Sequence, residues 1–395
     1  MKQVGTVILI IILMLISSSC EGIIKDKKEL NENYFVRIAG IDKINEDEVR
    51  LTLVAKTVIS GGAEGTQRSD TTILTEEGRT IFEANRRAHA FTNRDLFWGH
   101  LEFLFIGEEA ARDNIAKYLD FIVREHELRL TPTIVITKGT SAEDAIHGLS
   151  IKEIFLAELL ENIVRNAKKS VSFSGRVPLI KLVNMMDREY ESAYLPALKL
   201  VHKVMRQGGQ KSSFDPQMDG YAIFKKKRLL GFITEERARG LNWIINEVES
   251  GFAIVKDEVG KEVSLEIIHA KSKIKPKIEG DALSVNIEVE FSSNITEYEG
   301  SQNIFDEEGI ELLNQQQEKL VREEVEGIIE YAQTNGVDIL GIGNAVYHKY
   351  PIKWDQYKDN WEEKHFRMLP IKVLITSKIN RSYLFKEPIG YEGAR

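Results

Sequence analysis

Apolar and polar positions along this chain follow two different periods, and the order in which the periods appear predicts its architecture. Residues Tyr34 to Ile41 suit a buried strand, and Val49, Leu51, Leu53 and Ala55 alternate with Arg50, Thr52 and Lys56 as a half-buried strand does. The link from Asp42 to Asp47 is short and polar, so the two strands read as a hairpin. A helix is expected from Arg79 to Thr92, with Ile81, Ala84, Ala88 and Phe91 on its apolar face. Leu101 to Gly107 reads as a central strand. A long helix follows from Glu108 to Leu130, with Ile115, Leu119, Ile122 and Val123 facing inward, stopped by Pro132. Thr133 to Thr137 is another strand, and Ile151 to Ala167 a further helix. Strands interleaved with helices of this length argue for an α/β sheet in the first half.

The texture changes in the last third, and a linker precedes it. Met205 to Ser213 is polar, glycine-bearing and aperiodic, which marks a linker, as Ser60 to Gly65 marks a flexible loop. Gly220 to Phe224 and Arg228 to Phe232 form a hairpin whose turn is the basic run Lys225-Lys226-Lys227-Arg228, followed by Glu235 to Asn242 and a turn near Trp243. Val263 to Ala270, Ser272 to Ile278 and Leu283 to Ser292 suggest three successive antiparallel strands. A helix runs from Asp306 to Thr334, closed by Asn335-Gly336 in the manner of a left-handed C-cap. A second helix from Ile339 to Lys349 ends before Pro351, and Ile371 to Asn380 returns as a strand. The expected fold is therefore mixed α+β. It comprises an N-terminal α/β domain over 20–205, a small middle region over 214–252, standing alone or packed with the first mature residues, and a C-terminal domain over 255–395 with an antiparallel sheet packed on long helices.

The start of the chain sets its location. Lys2 precedes the ten-residue apolar run Val7 to Ile16, then Ser17-Ser18-Ser19 and Cys20, the layout of an export signal over 1–19. A membrane-spanning helix needs about 20 apolar residues, so this run is too short for one. Cys20 after three small residues resembles the lipobox of bacterial lipoproteins, in which the cysteine sulfur receives a diacylglyceryl group and the peptide is cut before it; Ser17 stands where leucine is commonest. Ser17 and Ser19 also suit ordinary secretory cleavage, which would leave Cys20 unmodified or remove it. The two outcomes differ physically, because two acyl chains hold a protein on a bilayer stably.

Composition narrows the classes. With 395 residues, 43% of them hydrophobic and 29% charged, the chain is ordinary globular protein of two or three domains. Its net charge of −8 becomes −9 without the segment carrying Lys2, and an exported acidic chain has no case as a nucleic-acid binder. One cysteine permits no internal disulfide.

No motif announces catalysis, a metal or a cofactor. His126-Glu127 begins like a zinc-protease helix, but Leu130 stands where the second histidine is needed. Gly341-Ile342-Gly343 lacks a third glycine, and a helix N-terminus near Ile342 explains it better than nucleotide binding. Ser150 lies in no nucleophile elbow, and Asn294-Ile295-Thr296 matches a glycosylation sequon by chance. Trp354, Tyr357 and Trp361 sit three and four residues apart, and closing the C-terminal core is set against contact with a partner.

Several stretches recur in order and carry a resemblance. They are Lys28-Glu29-Leu30, Ala39-Gly40-Ile41-Asp42, His100 to Ala111, Asp219 to Phe224 with Leu229-Leu230-Gly231, Asp338 to Gly343, and Tyr350 to Trp354 with Trp361 seven residues on. Taken together over nearly the whole mature chain, they resemble the C subunits of the Ger(x)C family of spore-germination nutrient receptors. The match departs at Glu21 and Gly22, where the family often places a tryptophan after the cysteine. The resemblance implies a three-domain, non-enzymatic lipoprotein without a cofactor, lipidated at Cys20 and held on the outer face of the inner spore membrane. Its partners would be two integral membrane subunits, A-type and B-type, and the complex would answer nutrients by starting germination with release of ions and dipicolinic acid. The rival is an extracytoplasmic solute-binding lipoprotein that captures the nutrient itself, although such proteins usually have two similar lobes and the halves here look unlike.

Overall fold

A computed structural model describes residues 32–59, 68–150, 156–203, 213–300 and 302–380. Cys20, the export signal, the Ser60 to Gly65 loop and residues 205–212 of the expected linker lie outside the described residues.

The first sheet begins with β1 (Asn33–Lys43), β2 (Val49–Ile59) and β3 (Arg68–Gly78), a meander of antiparallel neighbours. The short β4 (Asp95–Phe97) and then β5 (Phe103–Gly107) lie parallel to β1, and β6 (Thr133–Thr137) parallel to β5. β5 and β6 are buried along their whole length, which is why both read as unbroken apolar runs. Helices cover both faces. On one lie α1 (Ile81–Ala90) and α2 (Glu108–Arg124), with Ile81, Ala84, Ile115 and Leu119 in a core shared with Leu51 and Leu104. On the other lie α3 (Ala142–Ser150) and α4 (Leu156–Ser170), packing Ile146 and Leu160 against Ile38, Phe103 and Val135.

Local chemistry sets the helix ends. Thr80 Oγ accepts from the Glu83 amide at 3.1 Å, while the Glu83 carboxylate accepts from the Arg79 amide at 2.9 Å, so two otherwise unpaired donors open α1. Two expectations for these helices fail. Phe91 caps α1 from outside the core and is 79% exposed, and Val123 near the end of α2 is exposed as well. α2 also stops at Arg124 and breaks at Asn114, where the Ile115 amide donates instead to Lys227 O at 2.9 Å in a distant turn.

That turn belongs to β8 (Ser213–Lys225) and β9 (Arg228–Ile233), the hairpin read from the sequence. β8 pairs with β7 (Tyr194–Lys203), itself parallel to β6, so the hairpin completes the first sheet. Residues 214–252 are thus divided between this sheet edge and α6 (Glu235–Ile244), which packs on the C-terminal helix; α5 (Leu179–Asp187) precedes β7.

The second sheet is β10 (Gly251–Lys256), β11 (Glu262–Glu279), β12 (Ala282–Tyr298) and β13 (Ile371–Asn380) in that order. The two strands expected between Val263 and Ile278 are one, continuous through a register shift between Ile267 and His269. The returning strand β13 runs parallel to β12, so the sheet is mixed. α7 (Glu307–Asn335) lies across it, begun by Asp306, whose carboxylate accepts from the Gly309 amide at 2.8 Å, and closed by Gly336 at φ 60°. α8 (Ile342–Lys349) and the short α9 (Pro351–Trp354) follow. One apolar core runs from Tyr221 in the first sheet through Trp243 and Ile328 to Phe291 and Trp361.

Candidate functional site

Four places in the fold gather the residues that the sequence singled out. The first is the end of β1. Asp42 accepts from the Ala142 amide at 2.7 Å and the Glu143 amide at 2.9 Å, capping α3 across the sheet. Burial raises its carboxyl above the ordinary range, against the two amide donors. The neighbouring glycines make room: a Cβ on Gly40 would lie 2.7 Å from Ile146 Cδ1, and one on Gly107 would press on Asp42 Oδ1.

The second is Asp219, bound by Lys138 Nζ at 2.6 Å and Lys199 Nζ at 2.7 Å. Burial works to raise its carboxyl, but the two ammonium groups outweigh that and hold it low. Gly220, at φ 73°, brings the backbone against Ile233 O where no side chain fits.

The third is the seam between the first sheet and the C-terminal helices. Asp338 is fully buried and accepts from the Ile342 amide at 3.0 Å, the Gly343 amide at 2.6 Å and Trp361 Nε1 at 2.8 Å. Its own amide donates to Glu362 Oε1 at 2.7 Å, which also takes the Ser192 hydroxyl at 2.5 Å. Burial pushes the Asp338 carboxyl up to about 7 despite its three donors, and raises Glu362 too. Trp354, Tyr357 and Trp361 are all buried; the Trp354 ring lies 5.0 Å from that of Trp361, and the Tyr357 hydroxyl donates to Asp281 O at 3.0 Å. A cleft of about 860 Å³ opens next to this seam, lined by Arg188, Lys225, Lys226, Lys227, Glu362 and Glu363 among others. The basic turn is therefore a cleft wall, and Lys225 reaches Glu363 at 2.7 Å.

Deeper in the same seam, the Arg239 guanidinium of α6 pairs with Glu324 of α7, and Trp243 Nε1 donates to the same carboxylate at 2.9 Å. No sequence spacing signals this pair, because its members are 85 residues apart.

The fourth place is where the chain from Cys20 enters. Asn33 pairs with Asp95 at the start of β1 and lines a groove of about 660 Å³ with Phe82, His89, Phe97 and Trp98. A cavity of about 520 Å³ lies on the other side of Phe82, walled by Val49, Ile81, Tyr118 and Phe121. His126 is exposed and Glu127 accepts from the Trp98 amide at 3.2 Å, so the pair serves the loop. Among the described residues no three metal-ligating side chains come together, and no described helix is long and apolar enough to cross a membrane.

These features define a mixed α+β protein whose buried polar groups cap helices and lock two sheets together. Its kinship is narrower: the chain belongs to the Ger(x)C family of spore-germination proteins. Residues 26–200 match the family described as "Spore germination protein N-terminal domain", and residues 219–383 that described as "Spore germination B3/ GerAC like, C-terminal". Spore germination protein KC of Bacillus subtilis (strain 168) is 25% identical, the alignment covering 97% of this chain and 98% of that one. Spore germination protein B3 of the same strain is 22% identical over 86% of this chain and 88% of its own length. The solved structure titled "Crystal Structure of the GerBC protein" shares the fold, with a TM-score of 0.56 at 20% identity over 86% of this chain and 96% of that one. The family gives the protein a germination-related role in the spore.

Proposed function

We propose that this protein is the lipid-anchored, non-enzymatic subunit of a nutrient germinant receptor. Cys20 holds it on the outer face of the inner spore membrane, where it assembles with two integral membrane subunits, A-type and B-type. The observation that carries the reading is the placement of the chain's only cysteine, directly after an apolar run and three serines and thirteen positions before β1 begins. Tethering converts docking on membrane partners into an effectively intramolecular step, so modest contacts suffice for assembly. The polar groups at Asp42, Asp219, Asp338 and Glu324 keep the docking surfaces in fixed relation.

Cys20→Ala tests this directly. Membrane fractionation of spores should find the variant in the soluble fraction, with nutrient response impaired; equal retention of variant and wild type would overturn the anchor. Solute capture is less well supported, because the two sheets differ in strand order and do not form a pair of similar lobes.

A further inference from the structure

The groove of about 660 Å³ beside α1 joins aromatic rings to carboxylates in a way that the packing of the fold does not require. Its walls come from α1, the start of β1, β4 with the Trp98–His100 turn after it, and the loop that follows α2. Parallel pairing sets Phe35 of β1 opposite Phe97 of β4, so their rings meet edge to face at 5.9 Å. His100 completes the set, 5.2 Å from Phe35 and 5.7 Å from Phe97. Both phenylalanines are only half-buried, and the face of such a ring is its negative side. One ring of the lining already takes a cation: the Arg86 guanidinium lies 5.1 Å from the centre of Phe82.

Charge supplies the second argument. The lining holds three carboxylates, Asp95, Glu125 and Glu127, against the single guanidinium of Arg86, a net −2 with histidines counted as neutral. Glu125 bonds the adjacent His126 at 2.9 Å, and Glu127 accepts from the Trp98 amide at 3.2 Å. Among the described residues neither of these two carboxylates pairs with a lysine or arginine. The Glu125 side chain is 17% exposed, so it is short of water as well as of a cation. The cavity on the other side of Phe82 differs, because Asp120 holds Arg124 at 3.0 Å and Glu83 holds Arg79 at 3.3 Å. Hydrogen bonding points the same way. Asn85 Oδ1 and Trp98 Nε1, both on residues of the groove, are buried without a partner among the described residues.

We propose that this groove is a binding site for a small organic cation, a primary ammonium on an apolar or aromatic body. Glu125, Glu127 and Asn85 Oδ1 are the acceptors for its N–H bonds, and the body lies against the rings of Phe35, Phe97 and His100. The volume is that of a small-molecule site. The site belongs to the folded chain itself, so it stands or falls separately from acylation at Cys20 and from assembly with membrane subunits.

Isothermal titration calorimetry of the mature chain carrying Cys20→Ser tests this with benzylamine, benzyl alcohol and benzoate, three probes of one shape and different charge. Benzylamine is expected to bind at least ~10-fold more tightly than benzyl alcohol, and benzoate not at all. Glu125→Gln/Glu127→Gln should weaken benzylamine by roughly 10-fold and leave benzyl alcohol unchanged, while Phe97→Leu should weaken both by roughly 3-fold, with circular dichroism unaltered. Glu307→Gln/Glu308→Gln makes the same change of charge in the first turn of α7 and should leave benzylamine binding as it was. No binding of benzylamine, or equal affinity for benzyl alcohol, would overturn the proposal. Equal weakening by the two double variants would overturn it too, reducing it to general attraction by an acidic chain. The comparison of probes needs no variant, so it decides the matter even where a substitution unfolds the protein.

Discussion

Asp42 and Asp338 perform the same local task in two regions and face different consequences. Each is a buried aspartate that accepts from backbone amides at a helix start, Asp42 for α3 and Asp338 for α8. Asp42 works within one sheet; the Glu143 carboxylate adds to the cost of its burial and the Arg50 charge offsets part of that. Asp338 likewise has a carboxylate beside it, Glu362, which adds to the cost of its burial, and no cation offsets it among the causes of its shift. Its carboxylate also bonds Trp361, and its backbone amide donates to Glu362, which takes the Ser192 hydroxyl beside the first sheet. One cap therefore holds a helix, and the other holds a helix and the Trp361 ring beside the seam between the two halves of the molecule.

Removing each side chain should expose that difference. Asp338→Ala strands two amides and an indole N–H in a dry seam and should cost on the order of 3–5 kcal/mol, whereas Asp42→Ala loses a cap worth about 1–2 kcal/mol. Urea denaturation of both variants decides the matter, and equal losses would mean that Asp338 is only a helix cap.

Glycines beside the two caps give a smaller contrast. A Cβ on Gly343 would meet Trp361 Nε1 at 2.8 Å and Tyr190 O at 2.9 Å, a ring fixed by its hydrogen bond and a backbone atom. A Cβ on Gly40 meets the methyl end of Ile146 at 2.7 Å and Ala142 Cβ at 3.1 Å, side-chain atoms rather than a carbonyl oxygen. Gly343→Ala should cost roughly 2 kcal/mol and Gly40→Ala about 1 kcal/mol, read as shifts in the urea midpoint.

The comparison extends to pH. Because the folded protein holds the Asp338 proton up to about 7, it binds more protons than the unfolded chain between that value and the ordinary carboxylate range. Stability should then fall as pH rises from about 4 to about 7, and melting at pH 5 should exceed melting at pH 8. Asp338→Asn should flatten that slope. A slope unaltered in Asp338→Asn would assign it to other groups.

The sequence made legible what short-range pattern encodes. The apolar run of β5, the Asn335-Gly336 stop of α7, the hairpin turn at Lys225 to Arg228 and the helix start at Ile342 were all readable from neighbours in the chain. β11 reads as two strands because its register shift near His269 breaks the alternation. β3, whose residues Asp70, Thr71, Thr72, Glu76 and Glu77 read as polar, forms because β2 supplies its ladder at the sheet edge. Periodicity places Phe91 on the core face, because helical spacing does not reveal that the helix ends at Ala90. The caps were visible as Asp-bearing motifs, but their partners were not: Asp42 binds 100 residues away and Glu362 meets Ser192 across 170.

The central claim, that this protein serves a nutrient germinant receptor, is tested most directly by dipicolinic acid release from spores with and without this gene, across a panel of single nutrients, in a background lacking paralogous receptors. The account predicts loss of response to one or a few nutrients, with release triggered by pressure or by dipicolinate intact. A response unchanged for every nutrient that the parent spores answer would contradict it.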